Sequence, residues 1–186
     1  MALKATIFKA ALQIADMDRN YYHDHALTIA RHPSETDERM MVRVLAFALH
    51  AHDALAFGNG LSAEDEPDLW QKDLTGAIRI WIDVGLPHEK RVRKACSRAA
   101  QVFIYSYGGR TAETWWDKVD ARLGRASNLT VRNLPAAGSQ ALARLAARHM
   151  RLQCTIQDGQ IWVADADHTV PLALAVVKGL PLPSRP

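Results

Sequence analysis

Residues 78–105 read IRIWIDVGLPHEKRVRKACSRAAQVFIY and contain two apolar runs of strand length on either side of a helix-like segment. The first run, residues 78–84, predicts a buried strand, and residues 102–105 predict the next one. A helix is predicted to begin near His88, because Val92, Ala95 and Ala99 recur at three- and four-residue steps. Strand, helix and strand with short joints favour a parallel β-α-β crossover.

The flanking segments extend this unit into a mixed α/β chain. An N-terminal β-hairpin is predicted within residues 1–33, followed by a helix from Ser34 towards Gly58 with His52 on its apolar face. Further on, the patterns predict helices over 111–123 and 139–150, a strand over 129–132, a hairpin around the turn at 158–159 and a strand within 170–177. We therefore expect a single α/β (α+β) domain, a mixed β-sheet flanked by helices, with an N-terminal hairpin (1–33), a core (34–135) and a C-terminal helix, hairpin and tail (136–186).

Composition excludes several classes of protein. Of the 186 residues 48% are hydrophobic and 23% charged, which is typical of a globular chain, and the formal net charge of +3 permits a polyanionic partner without requiring one. Cys96 and Cys154 are too few and too far apart for a disulfide framework or a zinc ribbon. No apolar run reaches the roughly 20 residues of a membrane span and the first residues lack a signal-peptide pattern, so we expect a cytoplasmic protein without membrane association.

Three carboxylates are candidates for a metal site. Asp83 ends an otherwise apolar strand, and a charge buried there is costly unless a cation accompanies it. Asp68 lies fifteen residues before Asp83 and directly follows Pro67. Glu38 lies on the apolar stripe of the first helix. Oxygen ligands from these three residues suit Mg²⁺. The alternative is that all three acids have structural roles. Glu38 would interact with the helix dipole, Asp68 would begin a turn after proline, and Asp83 would cap the next helix.

Five segments resemble the YaeQ family, and together they span essentially the whole chain. They are MALKATI (1–7), HPSET (32–36), ERMM (38–41), WIDVGLP (81–87) and IQDG (156–159). The order of a helix-borne acid, Pro-Asp and Asp-Val-Gly is similar to the PD-(D/E)xK nuclease superfamily. The resemblance implies a variant of the PD-(D/E)xK nuclease core, with N-terminal and C-terminal β-hairpin additions, in a bacterial cytoplasmic protein.

The resemblance assigns roles position by position. It implies that Glu38 is the acid of the helix, Asp68 the Asp of the Pro-Asp motif and Asp83 the acid of the (D/E)xK motif. Gly85 departs from the pattern, since it stands where the superfamily has lysine. Glycine cannot polarise an attacking water or stabilise charge that develops on a phosphate.

Cations of the following helix offer replacements for that lysine. Lys94 borders the apolar stripe of the helix and is the preferred candidate, while Lys90 in the first turn points further outward. The same region, with Arg91, Arg98 and the strand residue Arg79, is predicted to contact the phosphates of a nucleic acid. A solvated basic face without a ligand is the alternative.

Two function classes follow. In the first, Asp68 and Asp83 act with Mg²⁺ and with Lys94 or Lys90 in phosphodiester hydrolysis on nucleic acid. In the second, the protein is a non-catalytic binding or regulatory partner in nucleic-acid metabolism that kept the fold and lost the lysine. Gly85 separates these two classes, because it leaves catalysis dependent on a lysine from elsewhere in the chain. In a third interpretation the acids contribute only to stability and bind no ligand. The sequence leaves the oligomeric state open.

Overall fold

A computed structural model describes residues 4–183 and divides them into two compact units. The first unit comprises residues 4–41, 137–173 and 181–183, and the second comprises 42–136 and 174–180. Residues 42–135 of the predicted core lie in the second unit and residues 34–41 lie in the first. The predicted N-terminal and C-terminal parts are combined in the first unit, because their strands pair with each other.

The secondary structure in residues 4–183 consists of helices and strands in mixed order. In chain order the elements are β1 (Thr6–Asp16), β2 (Tyr21–Arg31), α1 (Asp37–Leu49), β3 (Leu55–Phe57), a 3₁₀ turn (Gly60–Ser62), β4 (Leu69–Lys72), β5 (Ile78–Val84), α2 (Glu89–Arg98), β6 (Ala99–Tyr107), α3 (Arg110–Leu123), β7 (Leu129–Leu134), α4 (Ala136–Ala143), β8 (His149–Gln157), β9 (Gln160–Ala164), β10 (Thr169–Leu172) and β11 (Ala175–Lys178). The expected mixed α+β class is confirmed.

The first unit is built on a five-stranded sheet, here sheet 1, with the strand order β10-β9-β8-β1-β2. The predicted N-terminal and C-terminal hairpins are both present, as β1–β2 and β8–β9. The two hairpins join because β8 runs parallel to β1, with Leu12 opposite Leu152. Apolar side chains alternate along β1 and β8, so one face of sheet 1 is buried and the other carries exposed residues.

The second unit is built on a six-stranded sheet, here sheet 2, with the order β11-β7-β6-β5-β4-β3. The predicted crossover is confirmed, because β5 and β6 are parallel and joined through α2. Strand β7 extends the parallel part, while β4 pairs antiparallel with β5. Helices α2 and α3 pack on this sheet through a shared apolar core that includes Trp81, Val92, Ile104, Val119 and Val131.

Two predicted helices are shorter in the structure. Helix α1 ends at Leu49, and the expectation of an apolar His52 is wrong, because His52 is exposed and Leu55 pairs with Gln71 between β3 and β4. Helix α4 ends at Ala143 instead of continuing to residue 150. Its predicted last turn is the start of β8, which pairs with β1. In both places pairing with a strand replaces the continued helix.

The predicted strand within residues 170–177 is two strands. Strand β10 pairs with β9 in sheet 1, and β11 pairs with β7 in sheet 2. Each strand is four residues long, and apolar content alone does not indicate where one partner gives way to another.

Candidate functional site

Asp83 is the sixth of the seven residues of β5, and its side chain is buried. The indole Nε1 of Trp81 donates to Asp83 Oδ2 over 3.0 Å. The two residues share a face of the strand, as the alternation predicts. The buried carboxylate therefore receives one donor from its own strand.

The cation at Asp83 is Arg91, from the first turn of α2. Arg91 donates from Nε to Oδ2 and from Nη2 to Oδ1, both over 2.9 Å, so that the guanidinium binds both oxygens of the carboxylate. Its Nη1 donates to the carbonyl of Glu64 over 3.2 Å, and Nη2 also donates to the carbonyl of Glu66 over 2.7 Å. Two-point pairing of this kind forms strong charge-assisted hydrogen bonds and neutralises a buried carboxylate without a metal. We refer to Asp83, Trp81, Arg91 and the carbonyls of Glu64 and Glu66 as the Asp83 cluster.

Asp68 directly precedes β4. The first residue of β4, Leu69, pairs with Ile82 near the end of β5, so Asp68 lies beside that end. It is buried, its Oδ2 accepts a hydrogen bond from the backbone N–H of Val84 over 2.8 Å, and its own N–H donates to the carbonyl of Ile82. A Cβ at Gly60, where φ is +43°, would lie 2.4 Å from Asp68 Oδ1. The structure thus brings Asp68 and Asp83 to neighbouring strand ends, with Asp68 held by backbone on two sides.

Gly85 has a φ of +102°, a conformation that favours glycine. No atom lies within 4 Å of a Cβ built at this position, so the constraint is conformational and not steric crowding. A lysine here would strain the backbone that turns from β5 towards α2. The positive φ therefore accounts for a glycine at this position of the chain.

Glu38, in the first turn of α1, accepts a hydrogen bond from Ser139 Oγ over 2.5 Å. Within residues 4–183 no three His, Cys, Asp or Glu side chains are grouped so that they could hold a metal ion. Arg91 supplies the positive charge at Asp83 that a metal would otherwise provide. Asp83, whose charge Arg91 already neutralises, does not fit the role of Mg²⁺ ligand predicted for it, and the full site of Glu38, Asp68 and Asp83 stays a prediction.

The two lysines proposed as replacements for the motif lysine have other surroundings. Lys94 pairs with Asp65 on the surface, where its ammonium group lowers the pKa of that carboxyl. Lys90 is exposed on the first turn of α2. Of the cations on α2, the structure places Arg91 at Asp83 and not Lys94 or Lys90.

The arginines predicted to contact nucleic acid also divide into two groups. Arg91 uses its donors inside the Asp83 cluster. Arg79 and Arg98 are exposed, and Arg98 lies with its guanidinium carbon 5.5 Å from the centre of the Trp81 ring. Arg93 is exposed as well and pairs with Glu89 over 3.3 Å. The outer side of α2 and the adjoining strand residue thus keep basic groups in solvent.

A polar chain in sheet 2 was missed by sequence reasoning. His50 Nε2 and Tyr105 Oη are 2.7 Å apart, and Arg132 donates from Nη1 to the same hydroxyl over 2.9 Å. These residues follow α1 or lie in β6 and β7, and nothing in their spacing connects them. Arg91 could have been found, because a helix begins five residues after the end of a strand that carries a buried acid, with an arginine in its first turn.

Comparison with known proteins gives a consistent result. A family model described as "YaeQ protein" matches residues 1–174. The chain is 47% identical over 174 residues to YaeQ of Salmonella typhi, covering 94% of this chain and 96% of that protein. It is also 47% identical over 165 residues to YaeQ of Escherichia coli K12, covering 89% and 91%. These relatives come from bacteria, which agrees with the expected origin.

Two crystal structures share the fold. That of the YaeQ protein from Xanthomonas axonopodis pv. citri superposes with a TM-score of 0.90 at 50% identity and covers 95% of this chain and 99% of its own. That of YaeQ from Pseudomonas syringae gives a TM-score of 0.90 at 35% identity, with coverage of 95% and 97%. In residues 4–183 we find no helix with the length and apolar character needed to cross a membrane.

Proposed function

The chain belongs to the YaeQ family, and we propose that it is a non-catalytic nucleic-acid-binding protein built on a PD-(D/E)xK-like core. The observation that carries the non-catalytic part of this proposal is the two-point pairing of Arg91 with Asp83. A carboxylate whose two oxygens both bind an arginine is neutralised within the protein and has little capacity left for a divalent cation.

The arrangement around β5 supports the relation to the nuclease superfamily. A parallel β-α-β crossover carries Asp83 near the end of its first strand, and Asp68 lies at the adjoining end of β4. A helix-borne acid, Glu38, precedes both in the chain. What is missing relative to the motif is lysine, and Gly85 occupies its position with a positive φ.

The outer surface of α2 supports binding of a polyanion. Here the α2 surface means Lys90, Arg93 and Arg98 together with Arg79 of β5, all of which are exposed. Phosphate contacts from lysine and arginine provide affinity independent of base sequence and release counterions. Arg91 is not counted among them, because its donors hold Asp83.

Metal-dependent phosphodiester hydrolysis is the second candidate. It is favoured by one observation, the burial of two carboxylates, Asp68 and Asp83, at adjoining strand ends. Catalysis of this kind would require Arg91 to leave Asp83. A pairing that neutralises a buried charge makes this unfavourable, and we therefore place the binding function first.

Fluorescence anisotropy with labelled single-stranded and duplex DNA and RNA tests the binding function. We expect salt-dependent binding by the wild-type protein. The double variant Arg79→Gln/Arg98→Gln should bind more weakly and reduce the slope of log affinity against log salt by about 1.4 to 1.8, the contribution of two phosphate contacts. The matched control is Arg144→Gln, which removes an exposed cation from the first unit and should leave binding unchanged.

Incubation of the same nucleic acids with Mg²⁺ and Mn²⁺ separates the two candidates. The binding function predicts intact substrates after incubation with the wild-type protein. Cleavage that disappears in Asp83→Asn would establish the second candidate. The binding function is overturned if no nucleic acid shifts the anisotropy at low salt.

A further inference from the structure

The exposed face of sheet 1 has a floor of short side chains. Ala11 of β1 lies opposite Ala26 of β2, and both residues are exposed. Around them are two adjoining cavities of about 650 and 660 Å³, and Ala11, Arg151, Asp165 and Ala166 contribute to the walls of both. Cavities of this volume lie in the range that accommodates small-molecule ligands. We refer to the two cavities together as the trough.

One end of the trough is basic. Lys9 of β1 pairs with His149 of β8, and Arg151 follows two residues later on the same face of β8. Both Lys9 and Arg151 are exposed, and neither forms an ion pair with another residue in the described part of the chain. Their charges are therefore available to an anion from solution.

The next row of side chains is polar and contains acceptors. Gln13 lies between Asp24 on β2 and Gln153 on β8, all three on the exposed face. This row is two residues along β1 from Ala11, or about 7 Å. Two amides and a carboxylate in a line can hydrogen-bond the hydroxyl groups of a sugar.

The rim is acidic and limits the charge of an occupant. Asp165 and Asp167 lie on the loop after β9. Asp165 Oδ1 accepts hydrogen bonds from the backbone N–H of Asp167 and of His168, over 2.9 and 2.7 Å, which lower the pKa of this carboxyl. The charge on this rim disfavours a long polyanion and leaves room for one compact anionic group beside Lys9 and Arg151.

We infer that the trough binds a small phosphorylated sugar, either a free sugar phosphate or a nucleotide. The phosphate lies against Lys9, Arg151 and His149, and the sugar hydroxyls contact Gln13, Gln153 and Asp24. The spacing of the two rows is one that a phosphate and the hydroxyls of the attached ribose span. This site belongs to the first unit and is independent of the proposed function, which rests on residues of the second unit.

Calorimetric titration of the full chain with four probes tests the inference: ribose 5-phosphate, AMP, inorganic phosphate and ribose. Binding of ribose 5-phosphate and AMP indicates that the sugar phosphate is recognised, and binding of AMP alone identifies a nucleotide. Either result supports the inference if inorganic phosphate and ribose bind at least tenfold more weakly. Phosphate that binds as tightly as the esters, or an absence of binding by both esters, overturns it.

Variants locate the ligand. Arg151→Gln should weaken binding of the esters about tenfold or more, as expected for loss of a charge-assisted hydrogen bond. Gln13→Ala should weaken the esters and leave the residual binding of inorganic phosphate unchanged. Ala11→Trp fills the floor while it keeps every charge, and should abolish binding. Arg144→Gln, the matched control, should have no effect, and ester binding that survives both Arg151→Gln and Ala11→Trp contradicts the site.

Discussion

The Asp83 cluster and the trough both contain arginine, but the arginine is paired with a carboxylate in the cluster, whereas in the trough it has no ion-pair partner within the described part of the chain. In the cluster, an arginine and a buried carboxylate satisfy each other, and backbone carbonyls take the remaining guanidinium donors. In the trough, Arg151 and Lys9 are exposed and no carboxylate of residues 4–183 forms an ion pair with them. A charged residue that is paired inside the protein serves folding, whereas an exposed charged residue without an ion-pair partner is available to a ligand.

Replacement of Arg91 should have the largest effect on stability. Arg91→Leu leaves Asp83 buried without its cation, and we expect the free energy of unfolding to fall by about 3 kcal/mol, the lower end of the range for a broken buried pair, because Arg91 is partly exposed. Urea denaturation measures this. Arg93→Leu is the control, since the guanidinium of its pair with Glu89 is mostly exposed and its removal should cost clearly less than removal of Arg91.

A double-mutant cycle tests whether Arg91 and Asp83 stabilise each other. Asp83→Asn combined with Arg91→Leu removes both charges, so the double variant should lose less stability than the sum of the two single variants. Additive losses would show that Arg91 and Asp83 do not depend on each other.

Loss of the indole donor should have an intermediate effect. Trp81→Phe removes the hydrogen bond from Nε1 to Asp83 and keeps an aromatic ring in the core. We expect a loss of about 2 kcal/mol in the same denaturation experiment, because the acceptor is charged. Trp70→Phe changes the neighbouring tryptophan, which is only partly buried, and serves as the control. An equal loss in both variants would argue against a role for the indole N–H at Asp83.

The buried face of sheet 1 gives a pH-dependent test. Burial raises the pKa of the Cys154 thiol from 9.0 to about 12, and the nearby Asp16 adds to the increase. The unfolded chain releases this proton near pH 9 while the folded chain retains it. The stability from this thiol is therefore complete below pH 9 and falls as the pH rises from 9 towards 12, by about 1 kcal/mol per pH unit. Stability curves of wild type and Cys154→Ala should differ in slope over this interval, and parallel curves would contradict the assignment.

The smallest effect on stability is expected in the trough. Arg151→Gln should change the free energy of unfolding by less than about 0.5 kcal/mol, because an exposed cation without an ion-pair partner contributes little to folding. The measurement compares the loss in free energy of unfolding of this variant with that of Arg91→Leu. A loss of 2 kcal/mol or more in Arg151→Gln would mean that the trough residues, like the Asp83 cluster, serve the fold.

Sequence reasoning predicted the local elements better than their partners. The alternation over residues 78–84 placed Trp81 and Asp83 on one face, and the spacing after it placed α2 and β6 in a parallel crossover. These features depend on residues close together in the chain. The pairing of β1 with β8 joins segments about 140 residues apart and has no local signal.

The candidate site was predicted in part for the same reason. The need for a cation at Asp83 follows from burial of a charge, and the sequence indicated it. The cation that accompanies Asp83 in the structure is Arg91, which the sequence analysis had assigned to phosphate contact, and the replacement of the motif lysine by Lys94 stays a prediction. The trough could not be predicted, because its two cations lie on strands that are distant in sequence.

Calorimetric titration of the protein with Mn²⁺ determines whether Arg91 neutralises Asp83 in place of a metal. Wild type and Asp83→Asn are compared under identical conditions. We expect the same heats for the two proteins, because Asp83 offers no site to the ion. A binding heat in the wild type that disappears in Asp83→Asn would contradict it.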